Sequence, residues 1–181
     1  MTISSIDRIL TLPSIIPTLF ILDNSCNEVT IQSIDFSRFN YLNKLVIGSN
    51  AFNNLDVFEL SNLPSLIKFT VGSNSLQQSV GFIAHSLPSL SIMEIGDHSF
   101  QSSSVFAIDA SLKALECLSI GNGCFQGNVS SILNPGISSP SLHFDLHSSP
   151  MLNELYLGLD SFPFFRQFNI NGRFCECVKL S

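Results

Sequence analysis

One phrase of eleven residues, Leu-x-x-Leu-x-Leu-Gly-x-Asn-x-Phe, occurs five times along the chain, with one to three replacements in each copy. The copies begin at Leu42, Leu66, Leu90, Leu115 and Leu152, and their glycines are separated by 24, 24, 25 and 37 residues. A motif that recurs about every 20 to 29 residues is typical of solenoids. Each repeat is too small to enclose a core and must stack on its neighbours. The phrase therefore predicts a stacked, repetitive architecture.

Each repeat contains two short stretches in which apolar and polar residues alternate, which predicts strands with one buried face. The first is the Leu-x-Leu part of the phrase. The second occurs as Ile34-x-Phe36, Phe58-x-Leu60, Phe82-x-Ala84, Phe106-x-Ile108, Phe144-x-Leu146 and Phe168-x-Ile170. Proline corners such as Leu63-Pro64-Ser65 separate the strands, and we find no useful helical period. The sequence predicts a mostly β, single-domain solenoid over 1–181, with repeats of about 24 residues and a non-helical convex side.

The predicted repeat boundaries are a degenerate N-terminal repeat at 9–33, full repeats over 34–170 with a loop insertion at 126–140, and a partial repeat at 171–181. In the degenerate repeat we expect Phe20, Leu22 and Asp23 to take the places of Leu45, Ile47 and Gly48. A signal peptide is the alternative for this apolar segment, and the prolines that interrupt it argue against one.

The two ends of the chain bear on self-association. Phe174, Cys177 and Leu180 have the spacing of Leu63, Leu66 and Phe69, which predicts that a sixth repeat begins there. Terminal repeats normally need a polar cap, and the sequence shows none at either end. We therefore expect either a longer parent array or end-to-end self-association through uncapped terminal repeats.

Two turn positions carry explicit expectations. The repeated glycines are Gly48, Gly72, Gly96, Gly121 and Gly158. Glycine adopts positive φ without penalty, so they predict a tight turn, with a shallow groove for a ligand backbone as the alternative. Asn50 and Asn74 are expected to donate side-chain hydrogen bonds to turn carbonyls, in a ladder that Gly123 interrupts.

Composition excludes some function classes. The net charge is −6 and the eight Lys and Arg residues are scattered, whereas phosphate recognition needs clustered cations, so we expect no nucleic acid partner. No apolar run reaches about 18 residues, so we expect no membrane span. The five cysteines are odd in number and match no zinc spacing; they are Cys26, Cys117, Cys124, Cys175 and Cys177. Reduced thiols favour a cytoplasmic location.

The five phrases resemble the leucine-rich-repeat family over about residues 34–170. They are similar to the irregular arrays of unicellular eukaryotes and, loosely, to the bacterial surface-antigen subclass. They depart from ribonuclease-inhibitor-like members, which have helices on the convex face, and from plant receptor-like members, which carry a Gly-x-Ile-Pro step. The resemblance implies a curved scaffold that binds proteins on its concave strand face and has no catalytic residues.

We therefore expect a non-enzymatic protein–protein interaction scaffold without a cofactor. One alternative is a secreted or cell-surface adhesion protein, which a glycan on Asn128 would favour. Another is the substrate-recognition subunit of a larger complex, which would need an N-terminal helical adaptor motif that the sequence lacks. The chain contains no nucleophile elbow, phosphate loop or paired catalytic carboxylates.

The outward side chains of the phrase strands change from basic to acidic along the chain, which would suit a partner with the opposite gradient. Tyrosine is frequent at binding hot spots. The predicted partner-binding residues are Lys44, Lys68, Thr70, Glu94, Asp97, Glu154 and Tyr156. Alternation places the side chains of His143, Asp145 and His147 on one face of a predicted strand, and side chains of these types can bind a metal ion. Their side chains would span about 13 Å, which is too wide for one ion, so we interpret them as exposed surface and predict no metal.

Overall fold

The computed structural model describes residues 1–28, 32–108, 112–127, 143–147, 151–163, 167–171 and 178–180. For 143–147, 167–171 and 178–180 the description covers the backbone. The predicted loop at 126–140 and the Asn128 sequon fall almost wholly outside these residues, as do Cys175 and Cys177.

One short helix and two sets of strands make up the described chain. The helix α1 spans Ile6–Thr11. The strands are β1 (Thr2–Ile3), β2 (Thr18–Ile21), β3 (Lys44–Ile47), β4 (Val57–Ser61), β5 (Lys68–Val71), β6 (Gly81–His85), β7 (Ile92–Ile95), β8 (Val105–Ile108), β9 (Cys117–Ile120), β10 (His143–His147), β11 (Glu154–Leu157), β12 (Gln167–Asn171) and β13 (Val178–Leu180).

The strands form two parallel sheets. The eight-stranded sheet has the order β1-β2-β3-β5-β7-β9-β11-β13 and contains the phrase strands. The five-stranded sheet has the order β12-β10-β8-β6-β4 and contains the second stretches. Pairing advances by one repeat at each step, as in Leu45 beside Phe69 and Phe69 beside Met93. The chain is thus a mostly β parallel solenoid with coils of about 24 residues, which confirms the predicted fold class.

The core lies between the two sheets. In β3, β5, β7 and β9 the second and fourth residues are buried and the other two are partly exposed. Phenylalanines fill the interior as a continuous stack: the ring centroids of Phe100 and Phe125 are 5.1 Å apart, and those of Phe125 and Phe162 are 4.9 Å apart. Each coil therefore completes the wall of the next, as the repeat predicts.

Every phrase strand ends in a turn with two residues in the left-handed region. The first set is Asn24, Asn50, Asn74, His98, Gly123 and Asp160, and the second set is Cys26, Phe52, Leu76, Phe100, Phe125 and Phe162. Left-handed backbone costs a bulky residue about 1 to 2 kcal/mol. Ring burial offsets this cost, since Phe52 and Phe100 are both 0% exposed.

The expectation of an asparagine side-chain ladder is wrong. Among the described residues, neither Asn50 nor Asn74 donates a side-chain hydrogen bond; instead the backbone N–H of Asn50 donates to the Ser73 carbonyl at 3.0 Å. Gly123 does not interrupt the series, because its N–H donates to the Leu159 carbonyl at 2.8 Å. Asparagine suits this position because it tolerates left-handed backbone, as does the glycine that replaces it.

The expectation that the repeated glycines need positive φ is also wrong, because none of the five has it. They are required by close stacking instead. A Cβ on Gly72 would lie 2.5 Å from the Ser49 nitrogen and 2.7 Å from the Gly48 carbonyl carbon of the preceding coil. A Cβ on Gly158 would lie 2.5 Å from the Asn122 nitrogen. Glycine therefore marks the place where successive backbones approach most closely.

A buried series of small polar residues joins these turns. The Ser75 hydroxyl donates to the Gly48 carbonyl at 2.7 Å and accepts from the Ala51 N–H at 3.1 Å. Ser99, Cys124 and Ser161 hydrogen-bond to the preceding coils in the same way. Because these side chains satisfy backbone groups deep inside the solenoid, they hold one coil to the next.

The predicted register of the first repeat is wrong by one residue. Leu19 pairs with Leu45 and Ile21 pairs with Ile47, so Phe20 and Leu22 face outward. Leu19 and Ile21 are 0% and 2% exposed, whereas Phe20 is 37% exposed. A slip of one residue moves every side chain of a strand to the opposite face. The run of four apolar residues from Leu19 to Leu22 gives no alternation from which the register could be read.

A short helix packs at the N-terminal end of the solenoid. The helix α1 buries Ile9 against the first coil, and Leu12 just after it is buried too. The Arg38 guanidinium donates to the carbonyls of Leu10 and Leu12, which holds the end of the helix in place. Within the described ranges no helix, α1 included, is long and apolar enough to cross a bilayer.

Two further expectations need correction. Ile34 and Phe36 are buried but do not form a strand, because Asp35 accepts a hydrogen bond from the Ser37 N–H at 2.8 Å and the chain turns there. At the other end, Leu180 pairs with Leu157 and so lies at the Val71 position, not at the predicted Phe69 position. The other five second stretches are strands, as predicted.

Candidate interaction surface

The outer face of the eight-stranded sheet carries two parallel rows of side chains, which we call the strand face. The first row is Thr18, Lys44, Lys68, Ile92, Cys117 and Glu154. The second row is Phe20, Val46, Thr70, Glu94, Ser119 and Tyr156. Neighbouring strands lie about 4.8 Å apart, so the rows form a continuous surface. Six of the seven predicted partner-binding residues belong to it.

Three of the predicted residues meet at the centre of this face. The Lys68 ammonium lies 2.7 Å from a carboxylate oxygen of Glu94, and the Thr70 hydroxyl donates to the same oxygen at 3.2 Å. The side chains of Lys68 and Glu94 are 31% and 41% exposed, so the pair is partly shielded from solvent. The charges of Lys68 and Glu94 neutralise each other at the centre of the face. The predicted charge gradient is therefore reduced to a basic end and an acidic end.

Lys44 lies at the basic end. Its ammonium is 5.6 Å from the centroid of the Phe20 ring, within the range of a cation–π contact. Among the described residues, no carboxylate lies within ion-pair distance of Lys44. The sequence reasoning missed Phe20 as a member of this face because it assigned the wrong register to β2.

Glu154 and Tyr156 lie at the acidic end, on β11. Cys117 lies beside Glu154 in the first row. Partial burial, a hydrogen bond to Glu154 and the negative charges of Glu154 and Glu94 raise the pKa of the Cys117 thiol, against the opposing charge of Lys68. Cys117 is therefore a neutral thiol at neutral pH and contributes an uncharged position between the two charged ends.

Asp97, the seventh predicted partner-binding residue, lies at the margin of the strand face and is hydrogen-bonded to the next coil. Its carboxylate accepts hydrogen bonds from the Asn122 backbone N–H at 2.7 Å and from the Asn122 side chain at 3.3 Å. Asp23 accepts from the Ser49 N–H at 2.7 Å at the equivalent place in an earlier coil. Asp97 therefore stabilises the turn between two coils, although it remains exposed at the margin of the strand face.

On the outer side of the five-stranded sheet, His85 contacts Glu59 and Ser86. His85 Nε2 lies 3.0 Å from a Glu59 carboxylate oxygen, and His85 Nδ1 lies 3.3 Å from the Ser86 hydroxyl. The side chains of His143, Asp145 and His147 are outside the described part of the chain, although β10 is a strand as predicted. Within the described part, no three His, Cys, Asp or Glu residues are grouped to hold a metal ion.

The buried serine series was missed, although the sequence carried its signal. Each phrase has a small residue immediately before its final apolar residue: Ala51, Ser75, Ser99, Cys124 and Ser161. A repeated small residue next to a repeated large one indicates a position where coils touch.

Comparison of the chain with protein-family models, with curated proteins and with solved structures gave no match. The architecture and the strand face are therefore the observations from which a function can be inferred.

Proposed function

We propose that this solenoid is of the leucine-rich-repeat type and binds a partner protein, without catalysis, on its strand face. One observation carries the proposal. The inward positions of the phrase strands repeat one chemistry, with Leu45, Phe69, Met93, Leu118 and Leu155 in one row. The outward neighbours of these residues are basic, apolar, neutral polar and acidic in turn. Core packing explains the first pattern, and recognition of a partner explains the second.

The chemistry of the strand face supports protein binding. Its middle contains Ile92 and the neutral Cys117, and Lys68 and Glu94 form a pair beside them. Protein–protein interfaces normally combine apolar side chains with polar and charged groups, and the strand face presents both kinds. Tyr156, which is 36% exposed, adds the residue type that most often anchors such contacts.

The leucine-rich-repeat assignment rests on the phrase and on its place in the coil. The Leu-x-Leu segments form one continuous sheet, and the Gly-x-Asn step forms the turn that follows each strand. A second sheet instead of helices supports the irregular subclass. In that family the strand face is concave and is the usual contact surface.

Affinity capture with matched variants tests the proposal. The wild-type chain and a triple variant, Glu94→Gln, Glu154→Gln and Tyr156→Ser, are used to capture proteins from cells that express the chain. The control triple variant, Glu59→Gln, Asp56→Asn and Val80→Ser, makes equivalent changes away from the strand face. All six side chains are at least partly exposed, so both variants should fold.

The proposal predicts a protein that wild type and the control retain and that the strand-face variant loses by about tenfold or more, as expected when interface anchors are removed. Equal capture by all three chains would refute the strand face as the contact surface. If the control variant alone lost the captured protein, the contact surface would lie on the side of the five-stranded sheet.

A further inference from the structure

A groove beside the strand face is shaped by the first three coils. It has a volume of about 480 Å³ and is lined by Ile15, Pro17, Tyr41, Asn43 and Ser65. Consecutive coils place these residues side by side, because the Asn43 N–H donates to the Pro17 carbonyl at 2.8 Å. The groove therefore runs across the coils just before β2, β3 and β5 begin.

The groove presents apolar surface to solvent. Ile15 is 69% exposed and Tyr41 is 64% exposed. Ile67, which follows Asn43 in the next coil, is 46% exposed and extends the apolar area. Isolated exposed apolar residues are common, but a contiguous group around a depression marks an interaction site. A small ligand would normally be enclosed on most of its surface, whereas this open groove suits a segment that lies across it.

The charge next to the groove indicates what the segment carries. Asn43, which lines the groove, is followed by Lys44, whose ammonium rests on the Phe20 ring. Lys44 and Lys68 are directly paired neighbours on the same face, an arrangement that repulsion disfavours. Glu94 neutralises Lys68, but among the described residues no carboxylate pairs with Lys44. An acidic group on a partner would complete this arrangement.

We propose that the groove of Ile15, Pro17, Tyr41, Asn43 and Ser65 binds an extended segment of a partner protein that carries a bulky apolar side chain followed by a carboxylate. The apolar side chain contacts Tyr41 and Ile15, and the carboxylate pairs with Lys44. The inference rests on the proposed function, since it names the chemistry of a partner that extends beyond the strand face onto its margin. A segment of about three extended residues is long enough to cross the three neighbouring coils that line the groove.

Titration of the full chain with synthetic peptides, followed by two-dimensional ¹⁵N NMR, tests this proposal. The probe is a capped nine-residue peptide, otherwise serine and glycine, with a central phenylalanine followed by two glutamates. One control peptide replaces both glutamates by lysine, and another replaces the phenylalanine by serine. The expected result is a shift of the backbone amide signals of Ile15, Tyr41, Asn43 and Lys44 with the first peptide, and binding weaker by about tenfold with either control.

Variants separate the two contacts. Tyr41→Ser should weaken binding of the phenylalanine–glutamate peptide by about tenfold. Lys44→Gln should weaken it by about two- to fivefold and remove its salt dependence, as expected for an exposed ion pair. Lys113→Gln, which removes an exposed lysine from a distant corner, should have no effect. The dispersed NMR spectrum of each variant reports that it remains folded.

Three results would overturn the proposal: no shift at the groove at about 1 mM peptide, the weak limit of specific binding; equal binding of the lysine peptide; or full binding to Tyr41→Ser. Each of these leaves the strand-face capture experiment unaffected. Conversely, groove binding combined with unchanged capture by the strand-face variant would refute the proposed function and retain the groove.

Discussion

Replacing Gly72 by alanine tests the close stacking of the coils. The new Cβ would lie 2.5 Å from the Ser49 nitrogen and 2.7 Å from both the Gly48 carbonyl carbon and the Ser49 hydroxyl oxygen. Two of these three atoms belong to the backbone, so a side-chain rotation cannot relieve the contact. The two coils must move apart locally, and the hydrogen bond from the Gly72 N–H to the Ile47 carbonyl, now 2.8 Å, must lengthen.

The expected magnitude follows from two opposing effects. Because Gly72 does not have positive φ, alanine would by itself stabilise the fold by about 0.4 to 1 kcal/mol through the unfolded chain. Overpacking of a tight interior costs about 1 to 3 kcal/mol. The free energy of unfolding should therefore fall in Gly72→Ala, by about 1.3 kcal/mol at the middle of these ranges and by about 2.6 kcal/mol at most.

Gly81→Ala is the matched control. Gly81 is buried, yet a Cβ there would meet Val105 Cβ at 3.4 Å, an ordinary van der Waals contact. Urea unfolding followed by circular dichroism should give a free energy of unfolding for Gly81→Ala equal to or above that of wild type, and a lower one for Gly72→Ala. If Gly72→Ala were as stable as Gly81→Ala, close backbone stacking would not be the reason for the repeated glycines.

Three further changes probe the core in the same unfolding assay. Phe100→Ala removes a ring from the phenylalanine stack and should cost about 3 to 5 kcal/mol; a loss below about 1 kcal/mol would contradict the stack as a stabilising element. Ser75→Ala leaves the buried Ala51 N–H without its acceptor and should cost about 1 to 3 kcal/mol, whereas Ser75→Cys should cost less because a thiol occupies this position elsewhere. Burial raises the pKa of Cys26 and of Cys124 from 9.0 to about 11. The contribution of the two neutral thiols to the free energy of unfolding is therefore present below about pH 9 and is lost as the pH rises towards about 11, by about 1 to 3 kcal/mol per thiol. The double variant to alanine should lose this part of the pH dependence.

Architecture could be predicted from the sequence because the repeat samples the same environment many times. A single Leu-x-Leu segment is weak evidence for a strand, but five copies in register specify parallel pairing and a shared core. The prediction failed where the repeat is least regular. Around β2 four consecutive apolar residues, Leu19 to Leu22, conceal the register, so Phe20 was assigned to the core and its contact with Lys44 was missed.

Interactions between coils were harder to predict than the coils themselves. The repeated glycines were correctly singled out, but their cause is a neighbouring backbone that lies about 24 residues away in sequence. For the same reason the hydrogen bonds that Asp97 accepts from Asn122 in the next coil were not predicted. Sequence periodicity shows which positions are equivalent and does not show which atoms approach across the stack.

The helix α1 was missed for a different reason. The six residues of α1 are too few for a helical period to be visible, and the contacts that hold the helix come from Arg38, far along the chain.

The account depends most on the claim that a partner protein contacts the strand face. Carboxyl footprinting of the wild-type chain, alone and with its captured partner, measures this directly, because carbodiimide-coupled amine labelling followed by mass spectrometry reports the accessibility of each carboxylate. The account predicts that labelling of Glu154 falls in the complex while labelling of Glu59, on the five-stranded sheet, is unchanged. Protection of Glu59 with Glu154 still fully labelled would contradict it.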